Sequence, residues 1–265
     1  MVTLRRPVGN LEVRVINTKT FYLTDTGRVR EHNEDSVTIL KNISNEYMLI
    51  VADGMGGHRK GEVASALTVT NLGKRFMESS SVGTKADAVN WLSDNLAEIN
   101  DEILEYGEKN ENSKGLGTTV VAAIVTKDYL IFANIGDSAG YVIKNNKLHR
   151  VTKPHTLVNL LIDAGNLTEE QAKNHPKKNV LMKALGASLK CEPDIFDVDN
   201  GSKAIFLCSD GVTSMLDDSS IEKVLQDKEL SVEEKVIKLI KKCNARGGSD
   251  NISLAYLVRE SGDLT

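Results

Sequence analysis

The chain has 265 residues, of which 40% are hydrophobic, so it can bury a substantial core in one large domain or two small ones. Its formal net charge of -4 and the lack of a long basic tract argue against nucleic-acid binding as a main role, because phosphate contacts dominate that affinity. The three cysteines form no Cys-x-x-Cys pair, which argues against a disulfide framework and against a zinc knuckle.

Residues 1–20 contain two arginines but no apolar segment of the length that a signal peptide requires, and no run in the chain is long enough to span a bilayer. We therefore expect a cytoplasmic protein without membrane insertion. Residues 11–15 alternate apolar and charged side chains, which is typical of an exposed strand. Such a strand would lie at a sheet edge, ahead of residues 21–23.

The next elements are a strand, two helices and a group of strands. An apolar strand over residues 47–52 leads into Asp53, and residues 62–77 and 85–107 carry apolar side chains at helical spacing. Residues 118–125, 129–135 and 141–143 are strand-like, with tight connections at 127–128 and 145–146. Consecutive short strands joined by tight turns predict an antiparallel meander.

The second half of the chain is less regular at first. Residues 151–190 are mixed in polarity without strong periodicity, and we expect a mobile insert there. A strand over 204–208, helices over 219–226 and 231–243, and a final strand over 252–258 follow. Ser231 and Glu234 stand at the spacing of a capping box. Helices grouped between groups of strands indicate an α+β fold and not a βαβ repeat.

Acidic residues stand at the ends of several predicted strands. Asp53, Asp137 and Asp210 follow apolar runs, and Asp250 precedes one. Carboxylates held close together repel one another, so such a cluster is expected to bind cations or to be partly protonated. Oxygen ligands favour Mg²⁺, Mn²⁺ or Ca²⁺. If Asp35 joins these four, nearly the whole chain folds around one site, which argues for a single domain.

Two polar segments flank the first of these acids. Residues 24–35 contain one apolar residue, Val29, and such a stretch taken alone is most often a solvated loop. Three glycines separate Asp53 from His58. Glycine permits the positive φ values and the close backbone approach that a metal or a phosphate group requires.

Six motifs occur in order along the chain: Arg30-x-x-Asn33-Glu34-Asp35, Val51-Ala52-Asp53-Gly54-Met55-Gly56-Gly57-His58, Gly117-Thr118-Thr119, Asn134-Ile135-Gly136-Asp137-Ser138, Cys208-Ser209-Asp210-Gly211 and Ser249-Asp250-Asn251-Ile252. This set resembles the metal-dependent serine/threonine phosphatases of the type 2C (PPM) family, and the small bacterial members most of all. The resemblance implies an α-β-β-α sandwich, with two packed antiparallel sheets flanked by helices. It also implies one phosphatase domain over residues 21–260 after the 1–20 extension, with a flap insert at about 153–190.

The resemblance further implies a binuclear Mn²⁺ or Mg²⁺ centre. Asp53 would bridge both ions, and the Gly54 carbonyl would bind one of them. Asp210 and Asp250 would bind the other ion, and Asp137 would help Asp210 to hold a weaker third. Two such ions lower the pKa of a water molecule between them, which then attacks the phosphoryl group.

Other motif residues have implied roles beside the metal ions. Glu34 and Asp35 would act through metal-bound waters. Arg30 would bind the phosphoryl oxygens, for which its planar fork of donors is suited. His58 would donate a proton to the leaving serine or threonine oxygen. The alternative for His58 is a surface histidine after a glycine turn.

By resemblance, the function is hydrolysis of phosphoserine and phosphothreonine in proteins, opposing a bacterial serine/threonine kinase and acting on that kinase and its substrates. We expect a monomer with phosphoprotein partners and no nucleic-acid partner. The alternative is a phosphoprotein-binding pseudophosphatase with a regulatory role, which ranks lower because every metal-binding acid of the motifs is present.

Departures from the family pattern concern substrate contacts. Ala139 stands where the family usually has arginine, and Lys153-Pro154-His155-Thr156 replaces a segment that is usually Asp-His-Ser. His155 and His175 could face substrate, although a structural or solvent-exposed role is the simpler interpretation.

Two rival motifs have weaker support. Residues 136–140 match the Gly-x-Ser-x-Gly nucleophile elbow, with Ser138 as nucleophile, but that motif requires a helix after the turn and a strand is predicted there. Cys208 would need an arginine six residues further on for a cysteine-dependent phosphatase loop, and that position is Ser214.

Overall fold

The computed structural model describes residues 18–56, 60–110 and 115–259. In this part of the chain, two antiparallel sheets pack face to face and helices cover their outer faces. The α-β-β-α sandwich and the α+β class are therefore confirmed.

One sheet has five strands in the spatial order β1-β11-β10-β7-β8. These strands are β1 (Thr18–Asp25), β7 (Ala139–Lys144), β8 (Lys147–Arg150), β10 (Ala204–Cys208) and β11 (Ile252–Arg259). The other sheet has the order β2-β3-β5-β6-β9, and a short sixth strand, β4, pairs with β3. Its strands are β2 (Asp35–Lys41), β3 (Tyr47–Met55), β4 (Gly117–Thr118), β5 (Val120–Val125), β6 (Leu130–Ile135) and β9 (Asp194–Val198).

The helices are α1 (Lys60–Glu78), α2 (Lys85–Lys109), α3 (Leu157–Asp163), α4 (Glu169–Lys173), α5 (Asp210–Thr213), α6 (Asp218–Leu225) and α7 (Val232–Ala245). Helices α1 and α2 pack on the β2–β9 sheet, and α5, α6 and α7 pack on the five-stranded sheet. None of the helices in the described ranges has the length and apolar character needed to cross a membrane.

Both faces of the central strands are buried, which explains their continuous apolar sequences. On β3, Leu49 and Val51 point into the layer between the sheets, whereas Met48 and Ile50 point toward α1 and α2. The alternation follows from the two-residue period of a strand. Strand β11 alternates in the same way between the inter-sheet layer and α7.

The predicted helices over 62–77 and 85–107 are confirmed as α1 and α2, and those over 219–226 and 231–243 as α6 and α7. The capping box at Ser231 and Glu234 is present, with both reciprocal hydrogen bonds. The turn at Asn145 and Asn146 has positive φ at both residues, as a tight hairpin requires. The predicted meander is wrong as a single unit, because β5 pairs with β6 as one hairpin and β7 pairs with β8 as another, in different sheets.

Other elements were not predicted, namely β2, β8, β9 and the short helices α3, α4 and α5. The strand proposed at residues 11–15 lies outside the described residues. In the described part, β1 is one edge of the five-stranded sheet and begins at Thr18, inside the predicted 1–20 extension.

Candidate metal centre

The acids at the strand ends meet in one cleft of about 970 Å³. Asp53 stands near the end of β3, Asp137 follows β6, Asp210 follows β10 and Asp250 precedes β11, and all four line this cleft. Both sheets therefore contribute acids to the same rim. The predicted residues Arg30, Glu34 and Gly54 line it too, whereas the predicted His58 lies outside the described residues.

Asp53 is fixed by its neighbours in the sheet. Its backbone N–H donates to Thr119 Oγ1 at 3.1 Å, and its carbonyl accepts from the Thr119 N–H at 2.9 Å and from Thr118 Oγ1 at 2.9 Å. Asp35 lies directly opposite Asp53 in the β2–β3 register. Side chains at such a position share one face of the sheet, so the two carboxylates are neighbours.

Asp35 connects the two sheets. Its Oδ2 accepts a hydrogen bond from Ser209 Oγ at 2.7 Å, and the Ser209 hydroxyl in turn accepts from the Ser253 N–H at 3.0 Å. Ser209 precedes Asp210, the first residue of α5. This chain of bonds sets the end of β10 against the start of β2, which positions Asp210 beside the acids of the other sheet.

Burial and mutual repulsion strongly raise the pKa values of the acids. Burial, with smaller contributions from Asp210 and Asp250, raises the pKa of Asp35 to about 7. Burial and the charge of Asp210 also raise the pKa of Asp137 to about 7. The pKa of Asp53 is raised well above its usual value, by burial first and then by Asp35 and the other acids. The cluster therefore resists full ionisation on its own.

Positive charge is scarce in this cleft. Its lining includes six acidic residues and one arginine among the described positions. Arg30 Nη2 contacts Asp250 Oδ2 at 2.7 Å. The Arg30 side chain is half exposed, so it can reach a group entering from solvent once it leaves Asp250.

The donor set fits a hard divalent cation. The buried Oδ1 atoms of Asp35 and Asp210 have no hydrogen-bond partner among the described residues. A buried oxygen without a donor costs about 1–3 kcal/mol, and a cation would remove that cost. Within the described ranges, no three His, Cys, Asp or Glu side chains are already close enough to hold one ion together. Binding would therefore require the carboxylates to converge further, with Asp250 released from Arg30.

Asn251 has a role in the site that its motif alone did not predict. Its Nδ2 donates to the carbonyls of Thr26 and His32, each at 2.9 Å, and its Oδ1 accepts from the Glu34 N–H at 2.8 Å. This one amide holds the polar 26–34 loop, and Arg30 with it, against the start of β11. The loop is thus ordered by the core and is not simply a solvated segment.

His155 has a structural position beside the cleft. Its Nδ1 accepts from the Gly136 N–H at 3.1 Å, and its Nε2 lies 3.0 Å from Asp194 Oδ2. Its side chain is only 10% exposed. The structural interpretation of His155 therefore fits, because the ring joins the turn before Asp137 to β9.

Part of the predicted flap insert also reaches the cleft. Asn179 and Leu181 line it, and Leu181 forms a β-bridge with Thr156. A second bridge joins Leu185 to Thr118, directly after Gly117 on β4. Sequence reasoning identified the insert but neither of these two lining residues, because the segment has no periodicity that marks one face.

The rival nucleophiles are buried. Ser138 is 0% exposed and shares a hydrogen bond with Thr119 Oγ1, and strand β7, not a helix, follows it. Cys208 is also 0% exposed, and burial raises the pKa of its thiol far above the usual value. Neither residue can present a reactive oxygen or thiolate to substrate.

Comparison with known proteins gives consistent results. A family model described as protein phosphatase 2C matches residues 26–253. The serine/threonine phosphatase stp of Listeria monocytogenes serovar 1/2a is 41% identical over 240 residues, which is 90% of this chain and 95% of the relative. Protein phosphatase PhpP of Streptococcus pneumoniae is 35% identical over 247 residues, which is 91% of this chain and 97% of the relative.

Solved structures show the same fold. The serine/threonine phosphatase of S. agalactiae superposes with a TM-score of 0.85 at 36% identity, covering 92% of this chain and 100% of its own. The catalytic domain of the serine/threonine phosphatase PstP, in complex with 2 manganese ions, superposes with a TM-score of 0.79 at 31% identity, covering 91% of this chain and 98% of its own.

Proposed function

The chain belongs to the protein phosphatase 2C family and is a serine/threonine protein phosphatase, and from this premise we propose that its strand-end acids form a binuclear Mn²⁺ or Mg²⁺ centre. The observation that carries the proposal is the meeting of Asp53, Asp137, Asp210 and Asp250 in one cleft that contains a single arginine among the described residues. The two manganese ions in the PstP complex support the same number here.

In this proposal, Asp53 and the Gly54 carbonyl would hold one ion, and Asp53, Asp210 and Asp250 would hold the second. Asp137 and Asp210 hold a weaker third ion, while Glu34 and Asp35 accept hydrogen bonds from waters around the centre. When bound, the ions activate a water molecule and offset the charge of the phosphoryl group.

The chain's own groups orient the substrate and the proton. Arg30 leaves Asp250 and donates to two phosphoryl oxygens, which fixes the phosphate for in-line attack. Thr118 and Thr119 hold the Asp53 backbone through the contacts described above, which fixes the position from which its carboxylate projects. His58, outside the described residues, donates a proton to the leaving serine or threonine oxygen.

We further propose that the substrates are phosphoproteins of the cytoplasm, among them a serine/threonine kinase and that kinase's own targets, and that the enzyme acts as a monomer. Residues 21–260 would form one phosphatase domain with a flap at about 153–190. The shared layer between the two sheets supports a single unit, because neither sheet could bury its inner face alone.

The first test is phosphate release from a phosphothreonine peptide with Mn²⁺ and then with excess chelator. We expect release that depends on the metal and survives reagents that block serine esterases and thiols. Asp210→Asn should lower turnover by at least about 100-fold, because one ligand loses its charge. Asp101→Asn, an exposed change on α2, is the matched control and should keep full activity.

Two outcomes would contradict the proposal. If folded protein with Mn²⁺ bound, as measured by calorimetry, releases no phosphate, the pseudophosphatase is the better description. Near-normal turnover by a folded Asp210→Asn variant would instead leave Asp210 outside the mechanism.

A further inference from the structure

A second cavity, of about 390 Å³, lies at the opposite end of the five-stranded sheet from the acid cleft. It is enclosed by the sheet and by α6 and α7, where β10 begins at Ala204 and β11 reaches Val258. Strand β10 runs from this cavity to the residues just before Asp210. Its 5 residues span about 17 Å at roughly 3.4 Å each, so the two sites are separate.

The floor of this cavity is apolar. Ile143, Leu225 and Tyr256 contribute side chains that also belong to the core beneath α6 and α7. The Gln226 side chain donates a hydrogen bond to the Asn146 carbonyl, which fixes the β7–β8 turn against the end of α6. The cavity therefore has an apolar floor, and its partly buried apolar side chains are Leu230, Val232 and Val258.

The rim carries only positive charge. Four lysines and no acidic residue line the cavity among the described positions, namely Lys19, Lys203, Lys228 and Lys235. The described part of the chain provides no ion-pair partner for Lys203, Lys228 or Lys235, and these three lysines line the same cavity. Three lysines without ion-pair partners above an apolar floor favour the binding of an anion.

Asp227, which acts on the charge of Lys235, lies outside the cavity lining and has other partners. Asp227 is engaged by Lys238 Nζ at 3.1 Å and by the Glu229 N–H at 3.2 Å. Burial lowers the pKa of Lys235, Asp227 partly offsets that shift, and the charge of Lys203 lowers the pKa further. Lys203 and Lys235 are thus close enough to repel each other, and one anionic group between them would relieve the repulsion.

We propose that this cavity binds a small organic anion with an apolar body, its anionic group between Lys203 and Lys235 and its apolar part against Leu230, Val232 and Val258. The volume falls within the range of roughly 300–1,000 Å³ that small-molecule sites occupy. Because the cavity is separate from the acid cleft, its ligand binds together with a phosphopeptide and does not compete with it.

The test uses anilinonaphthalene sulfonate, an aromatic anion that becomes fluorescent when its rings leave water. The folded protein should bind one molecule in a saturable titration. The double variant Lys203→Glu/Lys235→Glu should raise the dissociation constant by about tenfold or more, which corresponds to a loss of about 1.4 kcal/mol of binding free energy. Lys241→Glu/Lys242→Glu makes an equal charge change at exposed positions of α7, the helix that carries Lys235. Its dissociation constant should stay within about twofold of that of the unchanged protein.

A neutral analogue, N-phenylnaphthylamine, separates the anionic from the apolar contribution and should bind more weakly than the sulfonate by about tenfold. Metal-dependent peptide hydrolysis and the Tm should be unchanged in both lysine variants, which shows that they fold. The proposal is overturned if the folded protein shows no saturable sulfonate binding, if the two double variants lose affinity equally, or if the neutral analogue binds as well as the sulfonate.

Discussion

Arg30 binds Asp250 in the structure, whereas in the proposed reaction each of the two groups binds a different partner. Asp250 must turn to a metal ion and Arg30 to the phosphoryl oxygens. The half-exposed guanidinium sits on the 26–34 loop, which Asn251 fixes to the core, so the side chain can swing while its backbone stays in place. Arg30 therefore pairs with the charge of the Asp250 carboxylate until a metal ion and a phosphoryl group bind.

Arg30→Ala should raise the KM for a phosphothreonine peptide by about 10- to 100-fold, because hydrogen bonds to a charged group contribute about 1.5–3 kcal/mol. Steady-state kinetics at saturating Mn²⁺ measures this KM. Arg28→Ala, an exposed change on the same loop, is the matched control and should leave KM within about twofold. A KM for Arg30→Ala equal to that of the control would remove Arg30 from phosphate binding.

At the residue scale, the sequence predicted the acids of the cleft well and their supports poorly. Asp53, Asp137 and Asp210 were recognisable because a carboxylate directly after an apolar run must emerge at a sheet rim. Asn251 and Ser209 were not assigned roles, because each has a hydrogen bond to a residue more than 170 positions away, as in the Ser209–Asp35 pair with a separation of 174. No local pattern encodes such a partner.

At the element scale, the start of α1 is pressed against β3 at two glycines. A Cβ on Gly61 would lie 2.5 Å from the Gly54 carbonyl carbon, and a Cβ on Gly54 would lie 2.2 Å from the Gly61 carbonyl oxygen. No side chain fits at either position without moving the backbone. This contact fixes the peptide whose carbonyl is proposed to bind a metal ion.

Gly61→Ala should destabilise the protein by about 1–3 kcal/mol through overpacking, although alanine in a helix normally adds about 1 kcal/mol of stability. It should also weaken Mn²⁺ binding, since α1 would displace Gly54. Thermal unfolding and manganese calorimetry measure the two effects. Gly201→Ala, whose Cβ would meet nothing closer than 3.4 Å, is the control. A more stable Gly61→Ala variant with normal manganese affinity would show that the helix start can move freely.

The long elements were predictable and the short ones were not. Helices α1, α2 and α7 carry several turns of periodic apolar residues, and β3, β5 and β11 are buried on both faces. Strand β9 is at a sheet edge and only partly buried, so its apolar pattern is weak. Helices α3 and α4 have 7 and 5 residues, too few for periodicity to identify them.

At the scale of the whole molecule, the two sheets bring acids from distant parts of the chain to one rim, and folding must overcome their repulsion. The sandwich itself supplies the necessary stability through three apolar layers, one between the sheets, one under α1 and α2, and one under α5, α6 and α7. Neither the sheet order nor the pairing of β1 with β11 could be obtained from local sequence. The resemblance supplied the architecture.

Burial of the acids and their repulsion predict how the stability of the chelated protein depends on pH. The pKa of Asp137 is about 7 in the folded chain, raised by burial and then by Asp210 and also by Asp250, against about 3.9 for an unfolded aspartate. A raised folded pKa adds stability that is fully present below the unfolded pKa and is lost as pH rises through the folded pKa. In excess chelator, the Tm should therefore fall as pH rises from about 4 toward about 8.

Asp137→Asn removes one of these charges, so with chelator its Tm should exceed that of the unchanged protein at about pH 8, and the difference should shrink toward about pH 5. Asp101→Asn, exposed on α2, should leave the curve unaltered. Saturating Mn²⁺ should raise the Tm of the unchanged protein because the ion binds only the folded chain, and should raise that of Asp137→Asn less. Scanning calorimetry across this pH range, with chelator and with Mn²⁺, measures both effects. A chelated Tm independent of pH, and equal in the two proteins, would mean that the fold does not raise the pKa of Asp137.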